Sequence, residues 1–317
     1  MIKLFGSNQP FVLALIPIMV LGHFTLDAFF PSFELLASGQ ENLWGLDFNL
    51  LSATYSRVGA FILISINAIL VNRVFNTHEF YERNTFLPSL IYLLLVFLFP
   101  LSLRMQEDLI AHTFFILCLS KLFDIKQNDD ARKSTFLSGL FLGCAVTFLP
   151  IYIYFLVFIW MGTISIRPFV LREFLLPLLG VVLPLGWVAF IDVNFYYSFI
   201  EFESSLDYSR FGNFLIFIPH LIVVLLSIIG YKNILERRLK SSIRYKRIVG
   251  LTTYVFLYSI ISASLVTVIT GSYFYFTIGA VILSIILPYS YLDTKRKWIP
   301  TILLYGLLAL NILKFIN

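Results

Sequence analysis

Long apolar runs separated by short polar clusters organise this chain, and no ordinary amphipathic period recurs along it. A hydrocarbon core of about 30 Å is crossed by about 20 apolar helical residues, so runs of that length read as membrane spans. The pattern predicts eleven of them, near residues 10–26, 56–73, 85–103, 108–123, 134–149, 150–166, 173–192, 213–231, 249–270, 273–291 and 298–316. The fifth and sixth form one apolar stretch, STFLSGLFLGCAVTFLPIYIYFLVFIWMG. It is too long for one span, and Pro150 supplies the break, because proline lacks the N–H that a continuing helix needs. The N-terminal run carries Lys3 and resembles a signal peptide, but no small-residue cleavage site follows it. It is therefore expected to remain as the first span. The expected fold is an all-α polytopic membrane protein, residues 1–317 forming a single transmembrane domain with no soluble domain.

Composition agrees with that pattern. Hydrophobic residues make up 59% of the 317 positions and charged residues 13%. Soluble domains sit nearer ~45–50% and ~25%. The net charge of +5 raises the question of nucleic acid, but the cations sit in short interhelical segments, so no nucleic-acid partner is expected. Cytoplasmic loops of membrane proteins are enriched in Lys and Arg. With the N-terminus placed in the cytoplasm, 19 of the 23 cations fall on the cytoplasmic side. Arg57, Arg104, Arg210 and Lys314 are left on the other face, together with 10 of the 18 acids. The two long outer segments are roughly 27–55 and 193–212, and parts of the first have the composition of surface-lying amphipathic pieces.

Chemistry-bearing motifs are sparse. The phosphate-cradling, dinucleotide-binding, zinc-protease and C-x-x-C patterns are all absent, which argues against a nucleotide-driven motor. Cys118 and Cys144 lie inside apolar runs and form no disulfide framework or metal motif. The outer acids are the candidates for catalysis. Asp27 follows the first span in GHFTLDAFFPSFE, and Glu34 comes seven residues later, on a similar face if that piece is helical. At a membrane boundary, burial among aromatics makes a carboxylate a stronger base. Glu107 and Asp108 open the fourth span, where the helix dipole also favours acids. Arg57, Arg104 and Arg210 are outer-face exceptions to the charge rule; each can clamp a phosphate, reach lipid headgroups or pair with an outer acid. The stretch YKNILERRLKSSIRYKR, residues 231–247, carries seven cations against Glu236 and reads as a basic cytoplasmic loop for topology and anionic-lipid contact. His220 lies within an apolar span and is an intramembrane ionisable candidate. Asn67 and Asn72 read as hydrogen-bonding glue between helices, and Gly139/Gly143 as a close-packing pair.

The order and spacing of these features resemble the GT-C superfamily of polyprenol-dependent membrane glycosyltransferases, such as protein mannosyltransferases and aminoarabinose transferases. The resemblance covers about residues 1–190. It rests on the cytoplasmic N-terminus, the acid after the first span, the long outer segment, the block QEDLIAHTFFILCLSKLFDIKQNDDARKSTFLSGLFLGCAVTFLPIYIYFLVF and the following RPFVLREFLLPLLGVVLPLGWVAF. It implies a GT-C-like core over 1–190, interfacial helices in the first outer segment, and additional spans over 191–317. It further implies that Asp27 deprotonates an acceptor hydroxyl and that Glu107 or Asp108 orients the acceptor or a divalent metal ion. Arg57, Arg104 or Arg210 would steady the lipid phosphate that leaves as the anomeric carbon is attacked. The chain departs from the family in having one acid after the first span rather than two adjacent ones, and in carrying the apolar VTFLPIY where a polar residue is frequent. It also resembles an uncharacterised bacterial multi-pass membrane family of about this length.

Three functions are consistent with this reading. The first is a glycosyltransferase, or close relative, using a polyprenyl-phosphate sugar at the outer face of a bacterial inner membrane. The second is a non-catalytic component of envelope assembly that binds lipid or a partner membrane protein. The third is a transporter or lipid flippase, for which internal repeats and midplane polar groups are the usual signs; the chain shows no repeat and few such groups.

Overall fold

Apolar helices dominate because an unpaired backbone group has no partner in an apolar surround, and a helix satisfies its own. The computed structural model describes residues 2–29, 42–98, 103–125, 130–166, 169–191, 213–240, 245–257 and 278–315, apart from single positions 8, 45, 47, 255, 295 and 314. The described residues are helical or in turns, with no strand among them. After a short α1 (Ile2–Phe5) come α2 (Val12–Phe29), α3 (Ala53–Thr77), α4 (Leu87–Val96), α5 (Glu107–Phe123), α6 (Arg132–Phe148) and α7 (Phe155–Ile166). They are followed by α8 (Leu171–Ile191), α9 (Asn213–Lys240), α10 (Ile278–Ile286), α11 (Pro288–Leu292) and α12 (Trp298–Leu313). Residues 245–254 form a further helical stretch.

Local chemistry sets several boundaries. Ser52 caps α3 by accepting from the Tyr55 N–H at 3.5 Å. Glu107 and Asp108 occupy the first turn of α5 and Lys121 its last, as the helix dipole prefers. The break expected at Pro150 is present: α6 stops at Phe148, Leu149 is extended, and a 3-10 turn over Pro150–Tyr154 leads into α7.

Among the described residues, three helices are long and apolar enough to cross a membrane: α2, α3 and α8, with mean hydropathies of 1.9, 1.9 and 2.4. At 1.5 Å per residue their 18, 25 and 21 residues reach roughly 27 to 38 Å. The expected count of eleven is not reproduced by this measure. Leu87–Val96, Pro150–Ile166, Gly279–Leu292 and Trp298–Leu313 are apolar but shorter. The expected span at 85–103 illustrates the reason. Its helix covers ten residues, and all of them are buried, so this leucine-rich run is the centre of the protein core. Conversely, α2 and α8 turn much of their apolar surface outward, through Ile18 and Leu21 on one and Leu183, Trp187 and Phe190 on the other. Exposed apolar surface on that scale fits hydrocarbon surroundings.

The bundle is closed by close backbone approach. A Cβ added to Gly139 would lie 2.2 Å from the Pro177 carbonyl oxygen, and one on Gly143 would lie 2.8 Å from that of Val181. From the other side, Gly180 leaves no room against the Phe136 oxygen and the Leu140 nitrogen, both 2.6 Å away. The Gly139/Gly143 pair therefore does pack helices together as expected. Its partner is α8, which runs parallel to α6, since residue numbers rise together along the contact. Asn67 also acts as expected, donating to the Leu109 carbonyl at 2.8 Å and accepting from Thr113 at 2.7 Å, which ties α3 to α5. Asn72 is buried, with its Oδ1 unpartnered. Asn311 donates to the Leu94 carbonyl at 3.0 Å and fastens α12 to α4.

Gly139→Ala is expected to destabilise the purified protein by about 1–3 kcal/mol, because the added methyl meets backbone that cannot step aside. Gly186→Ala on α8, where nothing lies within 4 Å, is expected to be neutral or stabilising by about 0.5–1 kcal/mol. Thermal unfolding of the two variants in the same detergent separates them.

Candidate functional site

Four of the sequence-expected residues, Asp27, Arg57, Glu107 and Asp108, meet at one end of the bundle, formed by the C-terminal turn of α2, the first turns of α3 and α5, and the C-terminal turn of α6. Asp27 lies inside α2 rather than beyond it and is turned into the protein. Its Oδ2 accepts from an Arg57 guanidinium nitrogen at 2.9 Å. The Asp27 side chain is 4% exposed and that of Arg57 45%, so the acid is sealed while the guanidinium stands half in the open. The expected alternative for Arg57, pairing with an outer acid, is thus realised.

The turn beside Arg57 links this pair to α5. Both the backbone and side-chain oxygens of Ser56 accept from the Met105 N–H, at 3.1 and 3.0 Å. Gly59 makes space for the Met105 sulfur, 2.7 Å from where a Cβ would stand. This holds the extended Gln106 at the start of α5, followed by Glu107 and Asp108, all three buried. Asn42, from the segment between α2 and α3, folds over the same helix end. It makes a tight turn, accepting from the Trp44 and Leu46 N–H groups at 3.1 Å each, and donates to Glu107 Oε1 at 3.4 Å. The adjoining Leu43 N–H donates to the Thr147 carbonyl at 3.0 Å, and Trp44 packs on Phe148.

Below the acids a buried polar cluster extends into the bundle. Tyr152, from the 3-10 turn, packs on Phe115 of α5 with ring centres 4.9 Å apart. Tyr92 and His112 share a hydrogen bond of 3.1 Å. Asp108 Oδ1, Gln106 Oε1 and the Tyr152 hydroxyl are buried with no hydrogen-bond partner. Sequence reading missed Asn42, Gln106, His112, Tyr92 and Tyr152. One signal was present: His112 follows Asp108 by four residues, the spacing that puts two side chains on one helix face.

Of the remaining expected acids and arginines, only Arg104 is among the described residues. Arg104 is half-buried ahead of α5 and forms no ion pair with a described acid. Glu34 and Arg210 lie outside the described residues, as does the side chain of His220. The described residues contain no group of three or more His, Cys, Asp or Glu side chains able to hold a metal ion, so the metal role implied for Glu107 or Asp108 has no ligand set here.

The opposite end differs from expectation. Residues 232–240 of the basic stretch are not loop but the last turns of α9, and residues 245–247 are helical again. Arg237 turns inward from it. It bonds Asp293 at 3.2 Å and Glu82 at 2.9 Å, and its guanidinium lies 4.3 Å from the centre of the Tyr81 ring. Tyr245 donates to the Tyr289 hydroxyl at 3.0 Å, and Tyr289 in turn donates to the Phe80 carbonyl. Asn233 donates to the Tyr289 carbonyl and to Thr294, both at 2.8 Å. Burial lifts the Asp293 carboxyl above the ordinary carboxylate range despite the opposing pull of Arg237, and Glu82 adds to the rise. Burial likewise raises the Tyr81 phenol, helped by Asp293.

The described residues define a helical protein with apolar helices long enough to cross a membrane and a buried acidic cluster at one end. The chain belongs to a family of unknown function, DUF6427, whose profile matches residues 35–316. No curated protein and no solved structure matches it.

Arg237→Ala leaves the largely buried Asp293 without its partner and exposes the Tyr81 face, and should cost about 1–3 kcal/mol. Arg237→Lys keeps the charge but not the planar fork and should recover only part of that loss. Unfolding midpoints of the two variants against wild type check this.

Proposed function

We propose that this protein is a polytopic membrane protein of about eleven spans, with its N-terminus in the cytoplasm. In this reading it handles a polyprenyl-phosphate-linked sugar at the outer face of a bacterial inner membrane, as a GT-C-type glycosyltransferase or a close relative. One observation carries the reading: Asp27, Arg57, Glu107 and Asp108, from three helices, gather at one end of the bundle and are linked through Ser56 and Met105.

The geometry supports the following roles. Arg57 uses one nitrogen on Asp27 and keeps its remaining donors for an anion, so it is the residue to meet a lipid phosphate. Asp27 aims Arg57 and is the acid placed to take a hydroxyl proton. Glu107 and Asp108, buried at the helix start, supply the acceptors that orient an incoming alcohol. A second reading, a non-catalytic protein that binds lipid or a partner, is favoured by the way Asn42 covers Glu107.

Binding of polyprenyl phosphate to the protein in lipid nanodiscs tests the proposal. Saturable binding is expected, weakened about tenfold by Arg57→Ala, equivalent to about 1.4 kcal/mol, and changed far less by Asp27→Asn. Arg104→Ala and Arg210→Ala serve as comparisons. Binding no better than that of bulk anionic lipid rejects the transferase reading and leaves the second.

A further inference from the structure

From the last turns of α9 onward the chain is rich in cations and has no acid to balance them. No Asp or Glu occurs between Glu236 and Asp293, while Arg237, Arg238, Lys240, Arg244, Lys246 and Arg247 crowd the first residues of that interval. Two of these cations are engaged inside the protein. Arg237 is held by Asp293 and Glu82, and Arg247 donates to the Ile166 carbonyl at 3.2 Å, which fixes the helical stretch from residue 245 against the end of α7. Arg238 and Lys246 are not engaged in this way. Arg238 is exposed, Lys246 is half-buried, and neither forms an ion pair with an acid among the described residues. Glu236 lies two residues before Arg238, about 200° round the helix, and its carboxylate is 3.9 Å from Lys232.

The two cations share a surface. Arg238 Nη2 lies 3.9 Å from where a Cβ of Gly250 would stand, so the α9 guanidinium rests over a position of the next helix that carries no side chain. Lys246 precedes Gly250 by four residues and stands on the same helix face. Tyr254 follows one turn further along that face and Leu257 lies just beyond, 45% and 50% exposed; beside Arg238, Leu235 and Leu239 are exposed as well. This surface is cationic at one end and apolar at the other.

We propose that Arg238 and Lys246 hold the headgroup of a net-anionic phospholipid whose chains pass Gly250 toward Tyr254 and Leu257. A guanidinium takes two phosphate oxygens at once, and an ammonium adds a point charge. A zwitterionic headgroup brings its own cation toward both and gains less. An acidic peptide or a nucleic acid matches the charge but leaves the adjoining apolar side chains uncovered. Contact by the basic stretch as a whole is diffuse attraction; here two side chains and an open glycine define one site. The inference rests on the protein lying in a membrane and not on the sugar-donor reading, which is carried by Arg57 at the other end of the bundle.

The experiment gives full-length protein in detergent equimolar phosphatidylglycerol and phosphatidylcholine with the same chains, and reads retained lipid by native mass spectrometry. Phosphatidylglycerol should be retained about tenfold over phosphatidylcholine, since each cation near a membrane surface contributes about fivefold. Arg238→Ala should lower the ratio about three- to fivefold, and Arg238→Ala combined with Lys246→Ala should bring it near one. Gly250→Leu changes no charge but fills the open position, and should lower the ratio as much as Arg238→Ala. Lys232→Ala, on the side of α9 that faces Glu236, should leave it unchanged. Equal retention of the two lipids overturns the proposal. So does a loss as large in Lys232→Ala as in Arg238→Ala, the mark of diffuse attraction, or full preference in a folded Gly250→Leu. If inorganic phosphate raises the unfolding midpoint while no lipid preference exists, the site takes free phosphate and the lipid assignment fails. Arg57→Ala should leave this ratio unchanged, so the two readings fail separately.

Discussion

Everything in this bundle depends on one constraint: a polar group removed from water must find its partner inside the protein. The central helix α4 is buried along its whole length, so its neighbours have to supply every polar complement. They do so with few groups. Asn67 closes both its amide donor and its amide acceptor onto α5, and Asn311 reaches the Leu94 carbonyl of α4 itself. Between such points, contact is apolar, and where helices come closest the side chains vanish into glycine.

The two ends of the bundle meet this constraint differently. At the Arg237 end a single guanidinium satisfies two acids and covers an aromatic face, and the hydroxyls of Tyr245 and Tyr289 pass the bonding on to a backbone carbonyl. This is the chemistry of a fastening. It joins residues 80–82, α9, the helical stretch after residue 244 and the segment after α11. The Asp27 end holds carboxylates too, but there the one paired arginine stands half exposed, and several buried oxygens lack a donor.

Much of the helical plan was legible in the sequence, because it follows from apolar run length and a few stops. Pro150 broke the long run where expected, and the small pair Gly139/Gly143 marked a close contact. What the sequence could not supply was exposure. An apolar run reads the same whether it turns outward, as α8 does, or faces other helices, as α4 does. The basic stretch misled for a related reason. Charge density suggested a solvated loop, yet Arg237 carries a long apolar stem and a planar head that suit a half-buried position between Tyr81 and Asp293. At the candidate site, Asp27, Arg57, Glu107 and Asp108 were visible as charges out of place. Tyr92, Tyr152 and Gln106 were not, since a tyrosine or glutamine near an apolar run has no distinguishing local pattern. Their importance arises only when three elements bring them together.

The parallel contact between α6 and α8 restricts how this chain can change length. Each residue advances a helix by about 100° around its axis. One residue inserted between Phe136 and Gly143, or between Pro177 and Pro184, would swing the glycines downstream of it out of the contact and bring bulky side chains against the facing backbone. The α6–α8 pair is therefore locked in phase, and length variation is confined to the connections around it.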